Sequence, residues 1–210
     1  MAQTYTIWFN TSFLKITSPH FVDDGSEFVF DKTITTEQEL LDFLKPDSIL
    51  FKADNSHQIL VSVKEPEEVL EIFKQNLKLI YAAGGVVINE LNQILLIKRN
   101  SFWDLPKGKR EPEEQLRFTA IREVEEETGV KVETASEQSI TTYHCYCLRG
   151  EYCIKETHWF EMNVTIGEQM LTPQTDEGIE TVIWVETADL PLYKEEMYPM
   201  IWSILESYHF

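Results

Sequence analysis

The stretch GKREPEEQLRFTAIREVEEETGV, from Gly108 to Val130, narrows the folds open to this chain more than any other. Its spacing predicts a helix over residues 113–128. At about 100° per residue, Glu123, Glu126 and Glu127 then fall within an arc of roughly 100°, while Leu116, Ala120, Ile121 and Val124 form a neighbouring apolar stripe. One face of this helix is built to dock on a sheet and the other is a bank of carboxylates. Gly129 is placed to end it in the left-handed conformation. Like charges at helical neighbour spacing repel by a few tenths of a kcal/mol per pair, so something must offset them. Hard oxygen donors that leave part of a coordination shell open suit Mg²⁺ or Mn²⁺ holding a phosphate-bearing substrate.

The rest of the chain supplies what such a helix would dock on. From Leu79, LIYAAGGVVIN and QILLIKRN read as two strongly apolar strands joined by ELN, and SITTYHCYCLR, YCIKETHWFEMNV and ETVIWV follow the helix as further strands, the first two joined at Gly150. ADLPLYKEEMYPMIWSILESY reads as a C-terminal helix interrupted at Pro199. Before Lys78 the texture differs. YTIWF, EFVF, SILFKA and QILVSV are short strand-like runs, and TEQELLDFL and EPEEVLEIFKQNL are helical, the first opened by a Thr36/Glu39 capping box. The expected organisation is a small α+β domain over residues 1–78 and an α/β domain over residues 79–210, a mixed sheet with helices on its faces.

Composition excludes several function classes. With 36 acidic against 18 basic residues the chain is a poor binder of nucleic-acid polymers, whose affinity comes from neutralising phosphates. MAQTYTIWFNTSF carries no basic leader, and no run of about 18 apolar residues occurs, so the expectation is a soluble, cytoplasmic chain that does not engage a membrane. Cys145, Cys147 and Cys153 show neither disulfide-framework nor zinc spacing. Five of the basic residues, Lys98, Arg99, Lys107, Lys109 and Arg110, lie within thirteen positions beside the acidic helix and are candidates for phosphate contacts.

Gly108, five residues, Glu114, seven residues, Arg122-Glu123-Val124, one residue, Glu126-Glu127, one residue and Gly129-Val130 together resemble the Nudix box without a departure. The resemblance spans about residues 79–187. It implies a Nudix-type α/β/α sandwich and hydrolysis of a diphosphate linkage. Glu123, Glu126 and Glu127 would be metal ligands, Glu114 an additional ligand and the Gly108 carbonyl another, with Arg122 orienting the glutamates. The general base would be a glutamate of the box or one from the loop before the last strand, where Asp176, Glu177 and Glu180 stand and Glu177 is preferred.

The same resemblance speaks to substrate. No proline stands about fifteen residues past the box, where the ADP-ribose group tends to have one. Tyr146 stands where diadenosine polyphosphate hydrolases have a tyrosine, and WDLPKGK is similar to the approach to the box in those enzymes and in diphosphoinositol polyphosphate hydrolases. These features point to a dinucleoside polyphosphate or a similar small phosphorylated molecule, bound through Lys98, Arg99, Lys107, Trp103 and Tyr146. Phe102 and Trp159 are further stacking candidates, and Lys155 and His158 further phosphate candidates. Rival readings are a nucleoside triphosphate or oxidised-nucleotide pyrophosphohydrolase, a non-catalytic nucleotide sensor, and an isopentenyl-diphosphate-type isomerase, which would need a catalytic cysteine and a degraded box. Residues 1–78 could cap the site, mediate homodimerisation or restrict substrate size.

Overall fold

The computed structural model describes residues 4–18, 32–43, 57–167 and 169–208, and the chain divides into two compact units. The first comprises Met1–Ile80 together with Tyr143–Glu156, the second Tyr81–Thr142 together with Thr157–Phe210.

In the first unit, β1 (Tyr5–Phe9) and β2 (Ser12–Thr17) form an antiparallel hairpin, closed by a two-residue turn whose Asn10 has φ 57°. Asn accepts that left-handed geometry because its short polar side chain bonds locally. β3 (Lys32–Ile34) lies parallel to β4 (Gln58–Ser62), which lies parallel to β2. α1 (Glu37–Phe43) opens with the expected box: the Glu39 N–H donates to the Thr36 hydroxyl at 3.3 Å, and that hydroxyl donates to the Glu39 carboxylate at 3.0 Å. α2 (Pro66–Asn76) starts on a proline that has no N–H to leave unpaired, and it buries Val69, Leu70 and Phe73 with Ile7, Leu14 and Val61. β2 has no counterpart in the sequence reading, because SFLKIT is buried at almost every position and lacks the alternation that marks a half-buried strand. The expected strands EFVF and SILFKA lie outside the described residues.

The second unit is built on β5 (Lys78–Asn89) and β6 (Gln93–Arg99), followed by short strands β7 (Phe102–Asp104) and β8 (Lys107–Lys109). Then come α3 (Leu116–Thr128), the long strands β9 (Thr134–Leu148) and β10 (Glu151–Val164), β11 (Ile179–Glu186) and α4 (Pro199–Ser207). β11, β6, β5, β10 and β9 are neighbours in that order, in a mixed α/β arrangement. Alternation along β6 assigns the faces: Leu95 and Ile97 pack with Ala120 and Val124 of α3, whereas Ile94 and Leu96 pack with Ile201, Ile204 and Leu205 of α4. Each such side chain contributes roughly 1.5–3 kcal/mol, against a few tenths per pair for repulsion among the glutamates, so docking decides that α3 forms.

Two sequence expectations need correction. α3 begins at Leu116 rather than at 113, because Glu113 adopts φ 63° and turns the chain before the helix. Pro199 does not interrupt a helix: it is the first residue of α4, where its missing N–H costs nothing, and Thr187–Glu196 ahead of it is a separate 3-10 helix.

Candidate active site

The path to the carboxylates is set by backbone close approach. β7 pairs with β6, Lys98 opposite Trp103, and β8 pairs with β5, Ala83 opposite Gly108. Between them the Pro106 carbonyl accepts the Gly85 N–H at 3.1 Å, and a Cβ on Gly84 would strike that carbonyl and Lys107. A Cβ on Gly108 would land on the Glu123 carboxylate, so glycine there is what admits Glu123 against the backbone. At the far end of α3, Gly129 takes φ 79° and its N–H donates to the Glu125 carbonyl at 2.9 Å.

Arg122 organises the acids. Its Nε and one terminal nitrogen each donate to Glu114 at 2.9 Å, and the other terminal nitrogen donates to Glu123 at 2.8 Å and Glu126 at 3.1 Å. The fork also donates to the Lys109 carbonyl at 3.2 Å, tying α3 to β8. Those hydrogen bonds hold the Glu114 carboxyl at about 2, with Thr119 Oγ1 donating as well. Burial instead pushes Glu123 up, with Arg122 opposing it.

Glu127 is fully buried, and its Oε2 accepts the Lys107 N–H at 2.7 Å while Oε1 has no hydrogen-bond partner. Burial pushes its carboxyl up to about 7, with the Lys107 charge pulling the other way. An isolated buried carboxylate oxygen is costly unless something polar meets it. Beside it, Lys107 Nζ pairs with Asp104 at 2.7 Å, both side chains largely buried. Burial alone would lower the Lys107 ammonium, but Asp104 and Glu127 outweigh it and raise it.

Among the described residues no three His, Cys, Asp or Glu side chains already converge as a metal cage; Glu114, Glu123 and Glu126 gather on Arg122. The donor chemistry nonetheless fits a hard divalent cation. The unpartnered Glu127 oxygen, the Glu123 carboxylate admitted against the Gly108 backbone and the exposed Glu126 give hard oxygen donors on α3.

The remaining sequence candidates divide. Lys98 pairs with Glu196 at 2.9 Å and lies 5.0 Å from the centre of the Trp103 ring, and Arg99 stands 3.7 Å from Glu177, which ends the 3-10 turn Thr175–Glu177 before β11. Glu177 also acts on Glu123 through its charge. Arg110 lies over the Tyr81 ring, 4.8 Å from its centre. Trp159 is fully buried with its indole N–H donated to Thr142 at 2.9 Å, a core residue with no face for a base. His158 sits against Ser139 and Thr141. Tyr146 and Lys155 belong to Tyr143–Glu156, which groups with the first unit. Sequence reasoning missed Asp104 and Glu196. Asp104 lay inside the quoted WDLPKGK, three positions from Lys107, whereas no local signal links Glu196 to Lys98.

A NUDIX domain profile matches residues 78–204. A putative 8-oxo-dGTP diphosphatase of Bacillus subtilis is 35% identical over 117 residues, which cover 54% of this chain and 72% of that protein. Nucleoside diphosphate-linked moiety X motif 6 of Homo sapiens is 42% identical over 66 residues, spanning 30% of this chain and only 21% of that protein. Among solved structures, a C. elegans Ap4A hydrolase binary complex is 22% identical over 62% of this chain and 95% of its own, with a TM-score of 0.47.

Proposed function

The chain belongs to the Nudix family of hydrolases, and from that membership we propose that it cleaves a phosphoanhydride bond in a dinucleoside polyphosphate or similar nucleotide polyphosphate, with a divalent metal ion. The observation that carries the reading is the buried Glu127 with its unpartnered Oε1 beside Glu123 and Lys107. Glu123, Glu126 and Glu127 would hold Mg²⁺ or Mn²⁺, with Glu114 and the Gly108 carbonyl as additional donors. When bound, such an ion neutralises phosphate charge and makes water a better nucleophile.

The chain's own groups do the rest. Arg122 fixes the direction of Glu123 and Glu126 through a fork whose other arm is locked on Glu114. Lys98, Arg99 and Lys107 stand on β6 and β8 to meet phosphate oxygens. Glu177, exposed and beside Arg99, is our choice to take the proton from the attacking water. Trp103, half-buried on β7, offers a ring to the nucleoside, and Tyr146 stays a candidate base contact on the strength of its position after the box. The hydrolytic machinery is assigned to residues 79–210, which the match over residues 78–204 supports.

A second reading, an oxidised nucleoside triphosphate as substrate, is favoured by the B. subtilis relative's designation as a putative 8-oxo-dGTP diphosphatase. A chromatographic turnover panel with Mg²⁺ decides between them. Selective cleavage of diadenosine polyphosphates, absent in Glu127→Gln, supports the first reading; selective cleavage of 8-oxo-dGTP supports the second. Cleavage of ADP-ribose or a nucleotide sugar alone overturns both.

A further inference from the structure

Asp104 stands opposite Ile97 of β6, and residues opposite one another in an antiparallel pair share a face of the sheet. Ile97 packs with Ala120 and Val124, so Asp104 lies on the α3 side. The Leu105 N–H donates to Asp104 Oδ1 at 2.8 Å, and Oδ2 meets the Lys107 ammonium at 2.7 Å with both side chains largely buried. Lys107 is also the residue whose backbone N–H reaches Glu127 Oε2, at 2.7 Å. One residue thus serves two acids, its main chain going to Glu127 and its side chain to Asp104. Among the described residues no ion pair reaches Glu127, and its buried Oε1 has no hydrogen-bond partner. Left to itself, such an oxygen would draw in the nearest cation, and a lysine is a compact charge on a flexible four-carbon stem. Burial works against the Lys107 ammonium, and the charges of Asp104 and then Glu127 stabilise it. Glu127 therefore already attracts the ammonium that Asp104 keeps.

Resting on the reading that the α3 carboxylates hold a divalent cation, we infer that Asp104 is a positioning residue of that site: by holding the Lys107 ammonium it keeps Lys107 from closing on Glu127, and so leaves Glu127 Oε1 for the cation. Without Asp104 the ammonium turns to Glu127 and competes with the cation for the same oxygen. Only the molecules in which Lys107 stands aside then bind, and the apparent affinity falls by that fraction. Asp104 is not a ligand in this scheme. It acts through Lys107 alone, which separates it from an acid that draws the cation by its own charge.

The test titrates the full chain with Mn²⁺ alone, no nucleotide present, and reads the free ion by electron paramagnetic resonance. Asp104→Asn is expected to weaken Mn²⁺ binding by about tenfold to a hundredfold, the range of a hydrogen bond between charged groups. In a Lys107→Met background the same substitution changes the affinity by less than about twofold, whereas a direct effect of the Asp104 charge on the ion would cost as much there as in the wild-type chain. Urea unfolding of the metal-free protein needs no Lys107 variant and decides independently. Glu127→Gln lowers the midpoint in the Asp104→Asn chain, where Lys107 loses its replacement partner, and leaves it unchanged in the wild-type chain. An Mn²⁺ loss that persists without Lys107, an unchanged affinity, or an effect of Glu127→Gln on unfolding that is the same in both chains overturns the inference. So does an Asp104→Asn chain that fails to fold, since Lys107 then finds no second partner. The cation reading has its own control. If wild type and Glu127→Gln bind Mn²⁺ alike, or neither binds it, that reading falls and the inference with it; a Glu127-dependent site indifferent to Asp104 sinks the inference alone.

Discussion

Two clusters of buried charge, one in each unit, behave in opposite ways. In the first unit Lys74 pairs with Glu156 at 2.9 Å and Glu71 at 3.3 Å and lies 5.3 Å from the centre of the Tyr143 ring. Burial would lower the Lys74 ammonium, but Glu156 more than compensates and raises it, while burial pushes the Tyr143 hydroxyl up to about 12. In that cluster the buried Glu156 Oε2 makes no hydrogen bond but has the Lys74 ammonium 2.9 Å away, so its charge is met by a cation. Around α3 the carboxylates outnumber the cations: Glu114, Glu123 and Glu126 share Arg122, Asp104 takes Lys107, and Glu127 keeps one buried oxygen unmet. A buried carboxylate with a cation at contact holds structure together, whereas one with no ion pair leaves a demand that a bound cation can meet.

Removing one charge from each cluster should break this contrast in opposite directions. Glu127→Gln keeps shape and deletes the buried charge, so kcat/KM should fall by about three orders of magnitude while the metal-free protein unfolds no more easily than wild type. Turnover and urea unfolding on one preparation check both halves. A variant that loses stability along with activity would show that Glu127 serves the fold.

Lys74→Met should do the reverse. It leaves Glu156 buried without its cation and is expected to cost about 3 kcal/mol in urea unfolding, with turnover per folded molecule unchanged. A cost below about 1 kcal/mol would mean that water reaches Glu156 and that the cluster is a surface feature. Glu156→Gln in the same background should recover part of the loss, since no buried charge is then left unpaired.

Gly108→Ala sharpens the comparison inside the second unit. The added Cβ meets the Glu123 carboxylate and can be accommodated only if Glu123 swings away from Arg122. We expect a fall in kcat/KM of about tenfold to a hundredfold with little change in unfolding, and steady-state kinetics beside a thermal melt measure it. Full activity would mean that the direction of Glu123 is free.

How much of this was legible beforehand follows from the range of the signals. The α3 faces, the Gly129 stop, the Thr36 cap and the β5–β6 hairpin are written in residues within a few positions of one another, and local periodicity or cap chemistry reads them directly. β7 and β8 are three residues each and exist because β6 and β5 offer them partners, which no local pattern announces. Likewise nothing in EVEEET separates Glu127, buried with an orphan oxygen, from the exposed Glu126 beside it. That difference comes from β8 closing over one and not the other. Trp159 shows the converse error, since an aromatic among strand residues reads equally as platform or core, and only its bond to Thr142 decides for core. Long-range pairs such as Lys98 with Glu196 were out of reach for the same reason.

The smallest effect tests whether the two units share a single unfolding transition. Thr36→Ala removes an exposed cap hydroxyl whose partner is the Glu39 N–H, and a lost cap of this kind costs about 1 kcal/mol. Nothing about α3 changes with it. If the chain unfolds in one step, that loss lowers the midpoint of every probe equally, including the fluorescence of Trp103 and Trp202 in the second unit. If the first unit opens on its own, circular dichroism shows an earlier partial transition while turnover persists through it, since the residues proposed to act on substrate, Tyr146 apart, lie in the second unit. The two outcomes differ in whether stability in the first unit reaches the active site at all, which a substitution in α3 could never reveal.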